Sequence, residues 1–480
     1  MSDRKLAVVV LAAGKGSRMK SDLPKVLHPV AGQPMLRHVL ASVAALAPAE
    51  TVVVVAPGMA SVEAAVEAAL EAAGEAAAVP ARCAVQAMPL GTGHAVAAAR
   101  DALAPLMAQG AADLLVVFGD CPLMTSDTLL RLLAARREAK APEIVGLAFR
   151  PADPAAYGRV ILEDGGKGAP RIEKIVELAD ADSAQRQIGL CNAGTVAGDA
   201  RRLFSLIERL GSHNAQGEYY LTDIFGLAHA EGRPAGVVEC PAEEVLGVNS
   251  RADLALVEAA MQQRLRARAM AGGATLVDPA TVWLSADTRL GRDVTVQPSV
   301  FFGPGVSVGD RVEIRSFCHL EGAEVGDDVV LGPFARLRPG ARIGRAAHVG
   351  NFVEIKNAEL GEGAKANHLT YLGDATVGAG ANVGAGTITC NYDGFFKHRT
   401  TIGAGAFIGS NTALVAPVTV GDGALVAAGS TITEDVPADA LAVERSEQRN
   451  REGAAARFRA ERRATKQQAG KAAPPKGRAS

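Results

Sequence analysis

The sequence contains no CxxC pair. Its six cysteines stand apart at positions 83, 121, 191, 240, 318 and 390. That spacing excludes a zinc ribbon and offers no disulfide framework, and it fits a reducing cytoplasm. Long apolar runs are missing too. The stretch "LAVVVLAAG", from Leu6, is too short to span a bilayer and lacks the cleavage context of a signal peptide. A soluble cytoplasmic protein is expected. Nor does one sign of charge dominate: 50 Lys and Arg face 52 Asp and Glu, a net charge of −2, which argues neither for nor against a nucleic-acid partner. The balance is uneven along the chain. Residues 445–480 hold eleven Lys or Arg against three Glu, which leaves about −10 for the rest.

Two familiar phosphate motifs are also absent from "LAAGKGSRMKSDLPKVL", which begins at Leu11. A Walker A loop needs a lysine directly after its last glycine, and Gly16 is followed by Ser17. A dinucleotide fingerprint needs a glycine where Met19 stands. The underlying chemistry survives. A glycine turn at the C-terminal end of a first strand exposes backbone N–H groups to an anion, and Lys15, Arg18 and Lys25 add charge. Taken alone, the stretch leaves open the rival reading of a strand-to-helix turn with solvated cations.

What the chain does contain is 48% hydrophobic residues over 480 positions, enough for two or three packed domains. In residues 1–248, short β-branched runs alternate with helical stretches, the pattern of an α/β fold. "LAVVVLA", "TVVVVA", "ARCAVQ", "DLLVVFGD" and "EIVGLAF" read as strands, "PMLRHVLASVAAL" and "GTGHAVAAARDAL" as helices. Residues 249–272 form a linker region whose amphipathic stretch predicts one continuous helix. From 273 to 445 aliphatic residues recur every six positions, as in Val325, Leu331, Leu337, Ile343, Val349 and Ile355, and again in Ile402, Ile408, Leu414, Val420, Val426 and Ile432. That period predicts a parallel β-helix with the aliphatic side chains inside. The glycine after many of them is expected to let the chain turn a corner. "KANHLTYLGD" and the inserted "TCNYDGFFKHRTT" depart from the plain repeat and mark candidate sites. Residues 446–480 read as a basic, solvated tail without regular structure apart from helix around 454–464, and no nucleic-acid partner is expected for it.

Further along the α/β region, "DLLVVFGDCPL" ends a strand on Asp120, "LGTGHA" offers a second Gly/Thr turn, and "GVNSR" places Asn249 at the domain's end. Ligands of open α/β sheets sit at the carboxyl ends of strands. An Asp and an amide oxygen there suit Mg²⁺, which takes few protein ligands and fills its shell with phosphate and water. Each residue alone also reads as a cap or a turn.

Together these segments resemble a family. "LAAGKGSRMKSDLPKVL", "QAMPLGTGHA" and "VVFGDCPL" are similar to the signatures of sugar-1-phosphate nucleotidyltransferases. With "HLTYLGD" and "GAGTITCNYDG" in the hexapeptide region, residues 5–445 resemble the bifunctional N-acetylglucosamine-1-phosphate uridyltransferase/glucosamine-1-phosphate N-acetyltransferases. The resemblance implies a Rossmann-like uridyltransferase domain joined by a long helix to a left-handed β-helix acetyltransferase domain. It further implies synthesis of UDP-N-acetylglucosamine, a precursor for peptidoglycan and lipid A, from glucosamine-1-phosphate, acetyl-CoA and UTP with Mg²⁺.

By the same resemblance, Leu11, Ala12, Ala13 and Gly14 hold the nucleotide, with Arg18 and Lys25 stabilising phosphate charge. Gln86, Gly91 and Thr92 read uracil. Phe118, Gly119 and Asp120 close the site, and Asp120 with Asn249 holds the metal. Phe118 stands where Tyr is commoner, which removes a hydroxyl. Gly158, Glu177 and Asn192 receive the sugar. In the second domain His368 is the implied general base. Arg338, Lys356, Tyr371 and Asn382 take the acceptor phosphate. Ala385, Asn391, Tyr392, Ser410, Ala428 and Arg445 contact acetyl-CoA. A homotrimer is implied, with sites between subunits. Two rivals stay open here: a nucleotidyltransferase whose β-helix is only a scaffold, and a catalytically silent hexapeptide binding module.

Overall fold

The computed structural model describes residues 4–73, 81–137, 142–154, 157–163 and 169–472. The chain divides into two compact units, Met1–Ala341 and Arg342–Ser480.

The first unit begins with β1 (Lys5–Leu11) and the short hairpin β2 (Pro29–Val30) and β3 (Gln33–Pro34), followed by helix α1 (Met35–Ala44). Then come β4 (Glu50–Val55), α2 (Ala60–Ala73), β5 (Ala81–Val85), α3 (Thr92–Ala97), α4 (Arg100–Ala108), β6 (Ala112–Phe118) and α5 (Ser126–Arg137). β7 (Ile144–Phe149), β8 (Arg159–Leu162), β9 (Arg171–Val176), β10 (Cys191–Asp199), α6 (Ala200–Ile207), α7 (Asp223–Ala230) and β11 (Ala235–Glu239) complete the α/β part. The main sheet runs β5-β4-β1-β6-β10-β7-β11-β9-β8. β1 pairs in parallel with β4 and β6, whereas β10 is antiparallel to β6 and β7.

The predicted strands are all present; in β1, β4, β6 and β7 runs of aliphatic, often β-branched side chains alternate between two buried faces, whereas the edge strand β5 is only partly buried. Ala7, Val9 and Leu11 join one core with residues of α3, α4, α6 and α7. Leu6, Val8 and Val10 join the other with residues of α1, α2 and α5. The single helix expected over 91–103 is instead two, α3 and α4, separated at Ala98 and Ala99.

Helix α8 (Arg251–Ala271) matches the expected linker helix. It starts on a reciprocal capping box in which Ser250 Oγ accepts from Asp253 N and Asp253 Oδ2 accepts from Ser250 N. The expected boundary at 272/273 is not where the compact units separate. The first hexapeptide coils belong to the first unit because buried polar bonds tie them to it. Gln262 is wholly buried, donating to Leu284 O at 2.6 Å and accepting from Leu284 N at 2.9 Å. Ala31 O, at the β2–β3 turn, accepts from Ser285 Oγ and Ala286 N.

The hexapeptide positions build stacked, parallel coils of the left-handed β-helix type in each unit. In the first, Glu313 pairs with Val330. In the second, Lys365 pairs with Asn382. Every aliphatic residue of the two six-residue series is buried.

Gly332, after Leu331, turns at φ 86° as expected, but other glycines that follow buried aliphatic residues have a different task. Gly361 and Gly378 do not carry positive φ; a Cβ on Gly361 would lie 2.6 Å from Ala379 N, and one on Gly378 2.4 Å from Ala404 N. They are glycine because adjacent coils approach too closely for a side chain. The left-handed corners fall two residues later, at Gly363 and Gly380.

The tail also differs from expectation. α9 (Ala454–Ala472) extends beyond the short helix anticipated, since its Ala-, Arg- and Gln-rich sequence has high helix propensity. Residues 473–480 lie outside the described ones. Among the described residues no helix is long and apolar enough to cross a membrane.

Candidate functional site

β1 and β6 end side by side, with Leu11 opposite Phe118. Beyond them Gly119 N donates to Leu11 O at 2.9 Å. This is the carboxyl edge at which the sheet changes winding direction, and a cavity of about 480 Å³ opens there. Its lining gathers most of the expected nucleotide residues: Leu11 to Gly14, Lys25, Gln86, Gly91, Thr92, Phe118, Asp120 and Asn249. Gly119 lies beneath, where a Cβ would meet Leu11 O at 3.2 Å. Arg18 is exposed on the 3-10 turn Ser17–Met19, whose Met19 is buried, and it is not among the lining residues.

Lys25 sits at the centre. Its ammonium contacts Asp120 Oδ2 and lies 3.3 Å from Asn249 Oδ1. Gly16, at φ 61°, makes the approach possible, because a Cβ there would stand 2.7 Å from Lys25 Cβ. Asn249 is aimed from the start of α8, where its N–H donates to Asp253 Oδ2 at 3.0 Å. Val248 N donates to Asp120 O at 3.1 Å, so the two oxygen-bearing residues are held together by backbone as well.

Arg251, the first residue of α8, donates to Met19 O at 3.2 Å and to His28 Nδ1 at 3.3 Å. Burial, and then the Arg251 charge, holds the His28 imidazole below its ordinary range. The ring is thereby kept as an acceptor.

One carboxylate and one amide oxygen converging on a cation suit Mg²⁺ that shares its shell with phosphate and water. Among the described residues no group of three His, Cys, Asp or Glu is arranged to hold a metal, so a fully protein-coordinated ion does not fit this site.

The expected sugar residues are not among the residues that line this cavity, and Glu177 lines a separate one, but the three adjoin one another. Asn192 N donates to Gly158 O at 2.9 Å, and a Cβ on Gly158 would lie 3.2 Å from Glu177 Oε2. Asn192 Oδ1 accepts from Gly194 N, and Gly194 in turn has no room for a Cβ against the Phe118 ring. Phe118 is thus wedged by packing, without need of a hydroxyl. Burial pushes the Glu177 carboxyl up, opposed by a hydrogen bond from Thr222 Oγ1.

The second unit places His368 opposite Asn351 on adjacent coils. His368 Nδ1 lies 2.7 Å from Asn351 Oδ1. That contact assigns the proton to Nδ1 and leaves Nε2 as a base. His368 O, Ala385 O and Ser410 O accept from Gly386, Asn411 and Gly429 N respectively, and Ala428 O accepts from Arg445 Nη1 at 2.7 Å. His368, Ala385, Ser410, Ala428 and Arg445 therefore follow one another up a single edge.

Tyr371 lies on the next face, its hydroxyl fitting only because residue 373 is glycine. Nearby, Asp374 is clamped by Asn391 Nδ2 at 2.5 Å and Asn357 Nδ2 at 2.6 Å. Partial burial raises this carboxyl, but those bonds and the Lys397 and Lys356 charges outweigh it and hold it low. Asn382 pairs with Lys365 on the adjoining coil. Tyr392 projects from the inserted loop, its hydroxyl donating to Gly394 O. Arg338 belongs to the first unit, its carbonyl accepting from Ala341 N.

Several residues escaped the sequence reading. Pro89, Ala95 and Glu218 also line the cavity, and the polar-aromatic segment "GEYYLTD" was the available signal for Glu218. Asn351 was reachable by counting one coil, seventeen residues, back from His368.

Known proteins agree with this division of labour. The MobA-like NTP transferase domain matches residues 8–179, and the bacterial transferase hexapeptide repeat matches 322–357 and 399–434. The chain is 56% identical to the bifunctional protein GlmU of Paramagnetospirillum magneticum, over 97% of its own length and 99% of the relative's. It is 58% identical to that of Rhodospirillum rubrum over 95% and 98%, and 52% identical to that of Bradyrhizobium sp. over 96% and 98%. With both regions matched and the likeness covering 95–97% of its length, the chain belongs to the family of bifunctional GlmU proteins.

Proposed function

We propose that this protein acetylates glucosamine-1-phosphate with acetyl-CoA and then couples the N-acetylated sugar phosphate to UTP, releasing pyrophosphate. The second reaction belongs to the cavity at the ends of β1 and β6. A sugar-phosphate oxygen attacks the α-phosphorus of UTP as the bond to pyrophosphate breaks. Crowded negative charge is the main barrier, so fixed cations and N–H groups lower it. Lys25 and the backbone of Leu11–Gly14 serve the phosphates, and Gln86 with the Gly91–Thr92 turn reads the base. Gly158, Glu177 and Asn192 receive the sugar. Asp120 and Asn249 would hold Mg²⁺, which supplies neutralising charge to the triphosphate when bound.

Acetyl transfer belongs to the coils. Nε2 of His368 removes a proton from the sugar amine as nitrogen attacks the thioester carbonyl; the N–C bond forms, the C–S bond breaks, and coenzyme A leaves as its thiol after taking up a proton. Lys356, Tyr371 and Asn382 hold the acceptor. Asn391, Tyr392 and the edge from Ala385 through Ser410 and Ala428 to Arg445 hold acetyl-CoA. A cytoplasmic homotrimer assembled through the β-helix completes the reading.

The observation that carries it is the 2.7 Å contact of His368 Nδ1 with Asn351 Oδ1, from which the Nδ1–H tautomer is inferred. A scaffold coil has no use for an exposed histidine held through Nδ1 whose Nε2 makes no hydrogen bond among the described residues. The test supplies glucosamine-1-phosphate, acetyl-CoA, UTP and Mg²⁺ and follows free thiol and pyrophosphate separately. Wild type should release both. His368→Ala should lose thiol release and still convert supplied N-acetylglucosamine-1-phosphate. Pyrophosphate from pre-acetylated sugar without any thiol would leave the β-helix as scaffold.

A further inference from the structure

The amide of Gln86 is held in one orientation from behind. Its Nε2 lies 3.1 Å from the Gly91 carbonyl oxygen and 3.2 Å from His94 Nδ1. A carbonyl oxygen only accepts, so the group facing Gly91 must be the NH₂. Its second hydrogen then points at His94 Nδ1, which accepts it, and the histidine carries its own proton on Nε2. With both amide hydrogens engaged, Oε1 is the group Gln86 has left for a ligand, and Gln86 lines the cavity while His94 does not. Gln86 is also mostly buried, at 6% exposure, so little room remains for other arrangements. His94 is placed for this by α3, whose start is fastened where Gly93 N donates to Tyr219 O at 2.8 Å and Thr92 Oγ1 accepts from Leu221 N at 3.1 Å.

We propose that His94 is a positioning residue that sets nucleobase choice by compelling Gln86 to present an acceptor. The inference rests on the uridylyl-transfer reading and deepens it. Uracil offers an N3–H donor, which an acceptor satisfies. Cytosine offers a bare N3 in the same place and would face Oε1 lone pair to lone pair. Were the amide free to rotate, it would donate to cytosine instead. Gly91 O alone resists that rotation with one hydrogen bond; His94 adds the second. A buried group left facing the wrong partner is a strong discriminator, because its desolvation is not repaid by any hydrogen bond.

The test measures pyrophosphate release from N-acetylglucosamine-1-phosphate and Mg²⁺ with UTP or CTP, comparing kcat/KM for the two nucleotides. His94→Phe removes the acceptor. His94→Asn retains one, since its Oδ1 stands close to where Nδ1 was. Wild type should prefer UTP, the Phe variant should lose about tenfold of that preference, and the Asn variant should keep it within about twofold. If the Phe variant does not fold, judged by its unfolding curve, His94→Leu gives the same readout. A Phe or Leu variant that loses UTP and CTP turnover in proportion, or that keeps the full preference, overturns the proposal. Absence of turnover by wild type with either nucleotide overturns the uridylyl-transfer reading and this inference together; a UTP-selective wild type with an unmoved ratio in the variants overturns the inference alone.

Discussion

Gly16 and Lys25 show how closely one residue's backbone governs another's chemistry. The glycine sits at φ 61° with its missing Cβ 2.7 Å from Lys25 Cβ, so alanine there meets both backbone strain and the root of the side chain, which cannot swing aside. Left-handed backbone costs a non-glycine residue about 1–2 kcal/mol. Gly16→Ala is therefore expected to lower pyrophosphate release at least tenfold, by order of magnitude, through the displaced ammonium, while thiol release stays at the wild-type rate. Equal loss of both activities would point to general unfolding instead.

The Asp393 carboxyl is a residue-scale case in the second unit. The Phe396 N–H first, then His398 and the Phe395 N–H, bring it down to about 2 from 3.8. A depressed carboxyl contributes to order above its unfolded value and loses that contribution as pH falls through the folded one. The loop from Asn391 to His398 should thus hold its amide-exchange protection at Phe395 and Phe396 down to about pH 4 and lose it towards pH 2. Asp393→Asn should weaken protection already at neutral pH and raise the KM for acetyl-CoA, since Tyr392 projects from the same loop.

At the scale of elements, the start of α8 unites stability with the metal site proposed at Asn249. Ser250 and Asp253 close the capping box, and Asp253 also receives the Asn249 N–H. Ser250→Ala should cost about 1 kcal/mol of stability and, by loosening Asn249, raise the Mg²⁺ concentration needed for half-maximal pyrophosphate release. A fall in melting temperature with an unchanged Mg²⁺ requirement would separate the cap from the site. In the coils, Gly361→Ala drives a Cβ to 2.6 Å from Ala379 N. That atom is backbone and cannot rotate away, so about 1–3 kcal/mol is expected in the unfolding curve.

The same elements show what can be read without coordinates. Periodicity announces strands and coils because burial selects side chains at regular spacing: Val8 and Val9 face opposite cores, and Ile343 and Val349 both face the prism. Motif spacing also singled out Lys25, Asp120 and Asn249, each in a recognisable segment, and the fold brings the three together. The role of Gly361 was not legible, because a glycine needed for close approach looks in sequence like one needed for a turn. Asn351 and Glu218 were harder still. They meet their partners only through coil stacking or the loop that precedes α7, and those are long-range facts with weak local signatures. The placement of the first coils beside α8 depends on Gln262, a residue whose burial no hydropathy pattern forecasts.

At the scale of the whole molecule, no side chain is assigned to both reactions. Lys25, Asp120 and Asn249 lie in the first unit and His368 in the second. The product of one chemistry is a small, free sugar phosphate that must leave its coil before it meets UTP. Nothing in this assignment requires both steps to use the same polypeptide. Lys25→Ala should therefore release thiol but no pyrophosphate from glucosamine-1-phosphate, and His368→Ala should release neither from that substrate. Mixed in equal amounts, the two variants are expected to regain pyrophosphate release after a lag, because intermediate made by the first chain accumulates until the second can consume it. The lag should shorten as N-acetylglucosamine-1-phosphate is added beforehand and vanish when it is supplied in excess. If the mixture stays silent while each variant retains its own half-reaction, transfer of the intermediate is confined within one assembly, and the two sites are coupled more tightly than their separate residues require.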